Sequence, residues 1–245
     1  MKYFWETTET IVKGVGFTHF KGCHWIWLAL FVLTCTLLTL FYRQSSPTRR
    51  LKIRRVLAAL LVADELFKIV CLAAGGNYTP KYLPLHLCSI NIILIAVHAW
   101  KPSKTLDNFL YVICIPTALL ALLFPTWTKL PPANFMHLHS FSVHILLAAY
   151  PIVLTLGGDI KPSVRALPRC LLLLLGFGVL ALLANHFFDT NFMFLSSASK
   201  GNPLYWFKQA LGSHLWGFPI LAPVLVTVMY LPPYLIRKIK TLKKP

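Results

Sequence analysis

Apolar runs recur along the chain at about 24–42, 56–74, 83–100, 107–125, 140–156, 168–188 and 215–235, each near the ~20 residues that a membrane-spanning helix needs. The pattern predicts an all-α fold, a polytopic bundle of seven transmembrane helices built from residues 1–245 as a single integral membrane domain. A tight turn at Lys101, Pro102 and Ser103 separates the third run from the fourth.

The informative positions are those that break the apolar pattern. Leu83 to Trp100 carries Pro84, His86, Cys88, Asn91 and His98 inside an otherwise apolar run, and a polar group in hydrocarbon costs free energy unless it has a partner or a task. Helical spacing predicts Pro84, Cys88, Asn91 and His98 on one stripe, with His86 pointing elsewhere. The fifth run repeats the device, because His137, Ser140 and His144 share a face if its helix extends back that far. In the second run Asp64 and Lys68 stand at i and i+4, which predicts an internal ion pair and leaves Glu65 to orient a pocket residue.

Composition changes the picture only in degree. A chain of 245 residues that is 57% hydrophobic and 13% charged, with mean hydropathy +0.65, cannot hydrate the surface of a soluble domain. The formal charge of +17 raises nucleic acid as a partner, but the basic residues sit in short clusters between apolar runs, as in cytoplasmic loops that face anionic lipid. Nucleic acid is therefore not expected. With alternate loops assigned to alternate sides, sixteen Lys and Arg fall on one side and seven on the other, which predicts a cytoplasmic C-terminus, an outside N-terminus and a multi-pass place in the plasma membrane. The N-terminal tail lacks the layout of a signal peptide and should be retained. Six cysteines without CxxC spacing indicate neither a disulfide framework nor a zinc knuckle.

Direction of each span then sets depth. His24, Cys88, His144 and His214 fall near the outer ends of their helices, and Asn185 and Asn191 reach the same level, whereas the inner half offers no comparable cluster. The segment Asn185 to Leu204 passes from membrane helix into a Ser-, Gly- and Pro-containing loop that keeps Phe and Met, the composition of a lid at the interface.

His24, Glu65, the LPLHLC motif at 83–88, a histidine ahead of Tyr150-Pro151 and the NFMFL stretch at Asn191 to Leu195 together resemble the bacterial YwaF-like integral membrane proteins, over nearly the whole chain. That family is in turn similar, more distantly, to the animal transmembrane protein 164, a cysteine-dependent phospholipid acyltransferase. The resemblance implies Cys88 as nucleophile and His144 as its base. The animal proteins place the cysteine directly after the proline, whereas here Pro84 stands four residues earlier.

Three functions follow as expectations. The first is an acyltransferase or acyl hydrolase that acts on membrane phospholipid and lysophospholipid without a cofactor. In it Cys88 and His144 react, while Asn91, Glu65, Asn185, Asn191 and His24 orient them or bind substrate. The oligomeric state is left open. The second is an intramembrane zinc-dependent lipid hydrolase that draws three ligands from the nine histidines. The third is a transporter, against which stands the crowding of polar groups at one leaflet, since a pathway should cross the membrane.

Overall fold

The computed structural model describes residues 2–198 and 200–242, and every regular element among them is helical. The long helices are α1 (Cys23–Arg43), α2 (Pro47–Ala74), α3 (Leu87–Trp100), α4 (Lys104–Leu123), α5 (Phe135–Leu156) and α6 (Leu167–Phe188); a short α7 (Pro203–Leu211) precedes α8 (Gly217–Leu242). Each of the seven apolar runs thus carries a helix. Five are long and apolar enough to cross a bilayer: α1, α4, α5, the Val164–Phe188 stretch with α6, and His214–Pro232 within α8. Helix α2 has the length, at 28 residues, but opens on five basic residues within nine positions and carries Asp64, Glu65 and Lys68. Helix α3 has only 14 residues, ~21 Å of rise against the ~30 Å of a hydrocarbon core. Lys243 and Lys244, counted in the loop-charge argument, lie outside the described residues.

Helix α5 is the centre. It packs against α1, α2, α3 and α4, and 72% of its most apolar window is buried, against 11% for the corresponding windows of α6 and α8. The two peripheral helices are instead tied on by point contacts: the Cys170 thiol meets the Thr105 carbonyl, and Tyr111 donates to the Met229 carbonyl across to α8. The exposed Leu, Val and Phe residues along α1, α6 and α8 are what a helix presents to lipid. The protein is an integral, multi-pass membrane protein.

Prolines shape the central pair. Pro151 has no N–H, so the Leu147 carbonyl four residues earlier is released from the α5 ladder; the Cys114 thiol on α4 takes it at 3.4 Å. On α4, Pro116 follows one turn of π-helix at Leu110–Cys114. At the start of α5, fully buried Asn134 does two tasks. Its Oδ1 caps the helix by accepting from Met136 and His137 N–H, and its Nδ2 donates to the carbonyls of Tyr3, Phe4 and Glu6. The N-terminal segment is held over that end of the bundle and joined to the α2–α3 loop by the exposed Lys81–Glu9 pair. That hydrogen bond, followed by the carboxylate charge, raises the Lys81 pKa above the ordinary lysine value.

The opposite end corrects the expectation that it is poor in polar groups. Arg50 donates to Asp159, to the Gly157 and Ser45 carbonyls and to the Arg43 carbonyl. Buried Tyr42 donates to the same aspartate, and His98 lies between Tyr150 and Asp107 at 2.8 and 2.7 Å. Arg50 stands in an Arg-rich stretch that reads as loop charge and its neighbours are scattered through the sequence, so only helix termini meeting in space make them a cluster. Gly157 is required there by close approach, because a Cβ would sit 2.6 Å from the Tyr42 ring.

Candidate functional site

At the end of the bundle that holds the starts of α3 and α5, the Cys88 thiol lies 3.2 Å from His144 Nε2. Cys88 is the second residue of α3, half-buried, with His86 as an N-cap that gives no side-chain bond. Its position matters, since the first N–H groups of a helix have no intrahelical partner and the positive end of the helix dipole lies where a thiolate would form. His144 is buried three turns into α5. Its Nδ1 lies 2.5 Å from the Ser140 carbonyl oxygen, and a carbonyl only accepts, so Nδ1 carries the proton of the neutral ring. Nε2 then turns a lone pair toward the thiol. The ring is held flat by Trp127, stacked on it at 5.3 Å between centroids with 12° between planes.

A carboxylate cluster adjoins this pair. Lys68 pairs with Glu65, and Glu65 accepts from Ser89 Oγ at 3.5 Å. Asp64 is not the partner of Lys68 that the i, i+4 spacing predicts. It accepts from Ser142 Oγ at 3.0 and 3.1 Å and faces His139 at 3.4 Å, because its carboxylate points across to α5. Glu65 therefore borders the site through Ser89, while the group that orients His144 is a backbone carbonyl.

The remaining expected residues divide. Asn91, one turn past Cys88 on α3, is 1% exposed, and neither atom of its amide has a hydrogen-bond partner among the described residues. Asn185 closes the chain after α6, with Oδ1 accepting from Phe192 N–H and Thr190 Oγ and Nδ2 donating to the Phe192 carbonyl. Asn191 does the same for Ser196 and Ser197. These two build the loop that lies over the site: Phe192 packs edge-on to His86 at 5.2 Å, and His86 accepts from Met193 N–H. Met193 and Phe194 both have φ near +56°, a conformation unusual for residues with a Cβ. His24 is bound at both ring nitrogens, by Phe20 N–H and the Leu122 carbonyl, and so fastens α1 to α4. Pro84 precedes α3 and is off its stripe; α5 begins at Phe135, so His137, Ser140 and His144 do share one helix.

Trp127 is the residue that sequence reasoning missed. It stands in the Pro125 to Pro132 loop, where turn residues mask it, and its only signal was an aromatic in a short loop between two spans.

The donor sets do not fit a metal. Among the described residues no three His, Cys, Asp or Glu side chains converge as ligands, and His24, His137, His144 and His214 are each committed to a separate partner. A cavity of about 510 Å³ is found at the opposite end, lined by Ser45, Pro47, Arg50, Leu51, Arg54 and Asp159, and has no contact with Cys88. No curated protein and no solved structure matches the chain. A family model does: the one described as the TMEM164 family matches residues 18–231, most of the sequence. The chain belongs to the TMEM164 family.

Proposed function

We propose that the protein is a thiol-dependent acyltransferase for membrane phospholipids, built as one seven-span domain of the plasma membrane with the N-terminus outside and Cys88 in the outer leaflet. Within its family the residue pattern groups it with the YwaF-like bacterial members. The observation that carries the reading is the 3.2 Å contact between the Cys88 thiol and a histidine nitrogen whose lone pair is set by the Ser140 carbonyl. A nucleophile within hydrogen-bond reach of a base that is itself oriented by a third group is the arrangement covalent acyl transfer needs. The shortness of α3 supports the depth, because a helix that covers ~21 Å starts below the membrane surface and brings its N-terminus to the ester region of the lipid.

In the first half-reaction the Cys88 proton passes to His144 Nε2 and the sulfur attacks the ester carbonyl. The tetrahedral adduct collapses to a thioester as the C–O bond breaks, and the departing lysophospholipid oxygen takes the proton back from His144. In the second, His144 removes the proton from an acceptor lysophospholipid hydroxyl, that oxygen attacks the thioester, and the released sulfur is reprotonated. Water as acceptor makes the same machinery a hydrolase. Purified protein in phosphatidylcholine vesicles with a labelled acyl chain and added lysophosphatidylethanolamine tests the reading: labelled phosphatidylethanolamine should form with the parent and not with Cys88→Ala or Cys88→Ser, since an alcohol is far less ionised than a thiol in one environment. Parental product formation by Cys88→Ala would remove the thiol from the mechanism.

A further inference from the structure

Two buried polar side chains beside the reacting pair have no hydrogen-bond partner among the described residues: the Asn91 amide, at both atoms, and the indole N–H of Trp127. A buried amide or N–H left unpaired costs about 1–3 kcal/mol, and native folds rarely leave one without a reason. The other unmatched buried atoms, the Thr39 hydroxyl and Arg54 Nε, belong to the far end of the bundle. Here the two adjoin the reacting pair from different elements, Asn91 beside Cys88 and Trp127 beside His144. Asn91 is three residues past Cys88, ~4.5 Å along the same face of α3, and Trp127 lies against the His144 ring itself. Because both atoms of the Asn91 amide are free, either rotamer presents an NH2 group.

We propose that the Trp127 indole N–H and the Asn91 NH2 form the site that receives the acyl carbonyl oxygen of the substrate. This rests on the reading of Cys88 as nucleophile and names the groups that make its first step feasible. When the Cys88 sulfur bonds to the carbonyl carbon, the π electrons of C=O move onto oxygen. The oxyanion accepts hydrogen bonds from the two donors until C=O re-forms and the lysophospholipid oxygen leaves with the proton from His144. Donors fixed by burial in a low-dielectric site need no reorganisation as that charge develops. Trp127 has two tasks on two parts of one side chain, since its ring face holds His144 and its edge donates.

The division of tasks supplies the test. Trp127→Phe keeps an aromatic face for His144 and removes the N–H; Asn91→Leu removes the amide at nearly constant volume. Both, and Cys88→Ala, are compared with the parent in the labelled phosphatidylcholine vesicles described above. Rates are expressed per mole of protein that elutes as the parent does on gel filtration. The second readout is the rate at which Cys88 is alkylated by iodoacetamide, a displacement at saturated carbon that develops no oxyanion. Loss of one donor should lower transfer about 10²–10³-fold with alkylation within about threefold of the parent. Transfer within threefold of the parent in both donor variants, with Cys88→Ala inactive, would overturn the donor site and leave the thiol mechanism standing. If Cys88→Ala itself transfers at the parental rate, the thiol reading fails and the donor site fails with it. A donor variant that loses transfer and alkylation together has disturbed His144 and counts against a role confined to the oxyanion; should either variant yield no folded protein, the other decides.

Discussion

The two ends of the bundle each gather ionisable and polar side chains, and they use them in opposite ways. At the Arg50 end the groups close on one another and on the backbone: the Arg50 guanidinium meets three carbonyls and Asp159, Tyr42 meets Asp159, and His98 is bonded on both nitrogens. Apart from Arg54 Nε and the Thr39 hydroxyl, every buried side-chain nitrogen and oxygen among the described residues there has a hydrogen-bond partner. At the Cys88 end His144 is oriented by a carbonyl, the Cys88 thiol is in contact with it, and the Asn91 amide and the Trp127 indole N–H have no hydrogen-bond partner among the described residues. A saturated polar cluster is suited to fixing helix termini, and the proposed chemistry falls instead on the cluster whose hydrogen bonds are left open. The number of polar groups does not distinguish the two ends; the state of their hydrogen bonds does.

Substitutions should separate the ends cleanly. The largest effect falls on transfer in Cys88→Ala, which should drop below detection while thermal unfolding hardly moves, since a small half-buried group is removed. His144→Ala should lower transfer about 10²–10⁴-fold, the contribution of a positioned base, measured in the same vesicles. At the other end the effects should be on stability alone. Gly157→Ala forces a Cβ into the Tyr42 ring and should cost about 2 kcal/mol. Tyr42→Phe loses the bond to Asp159 and should cost about 1 kcal/mol. Denaturation in mild detergent reads both, and transfer per folded molecule should be unchanged. A Tyr42→Phe protein that folds normally but transfers a hundredfold more slowly would erase the distinction between the ends. Smallest of all should be the effect of a chelator, which the thiol account predicts to leave the rate unaltered and a histidine-bound zinc would not.

What the sequence made legible follows from which forces are local. Hydropathy runs located all seven long helices to within a few residues at most ends, because each backbone in lipid must bond within its own segment. Cys88 and His144 stood out as polar residues in apolar runs, and the structure brings them into contact. What the sequence did not disclose lies at contacts between elements. Asp64 was assigned to Lys68 by helical spacing, but its partners Ser142 and His139 come from α5. For His24, expected at the site by depth, the bonds to two backbone groups that join α1 to α4 were not legible in its spacing. The Arg50–Asp159 network was invisible because its residues sit in loop-like stretches, 109 positions apart. Trp127 needed the fold to carry a Pro-rich loop back against α5 before its stacking on His144 could be seen.

The central claim is that the thiol at Cys88 carries the acyl group between two lipids. Vesicles of phosphatidylcholine with a labelled acyl chain, without any lysophospholipid acceptor, should load the protein. Digestion and mass spectrometry should then find one acyl chain on the peptide that contains Cys88, removed by neutral hydroxylamine as a thioester is and discharged when lysophosphatidylethanolamine is added. A preparation that transfers acyl chains at its full rate, yet holds no hydroxylamine-sensitive acyl group on Cys88 at any time during turnover, would contradict the account.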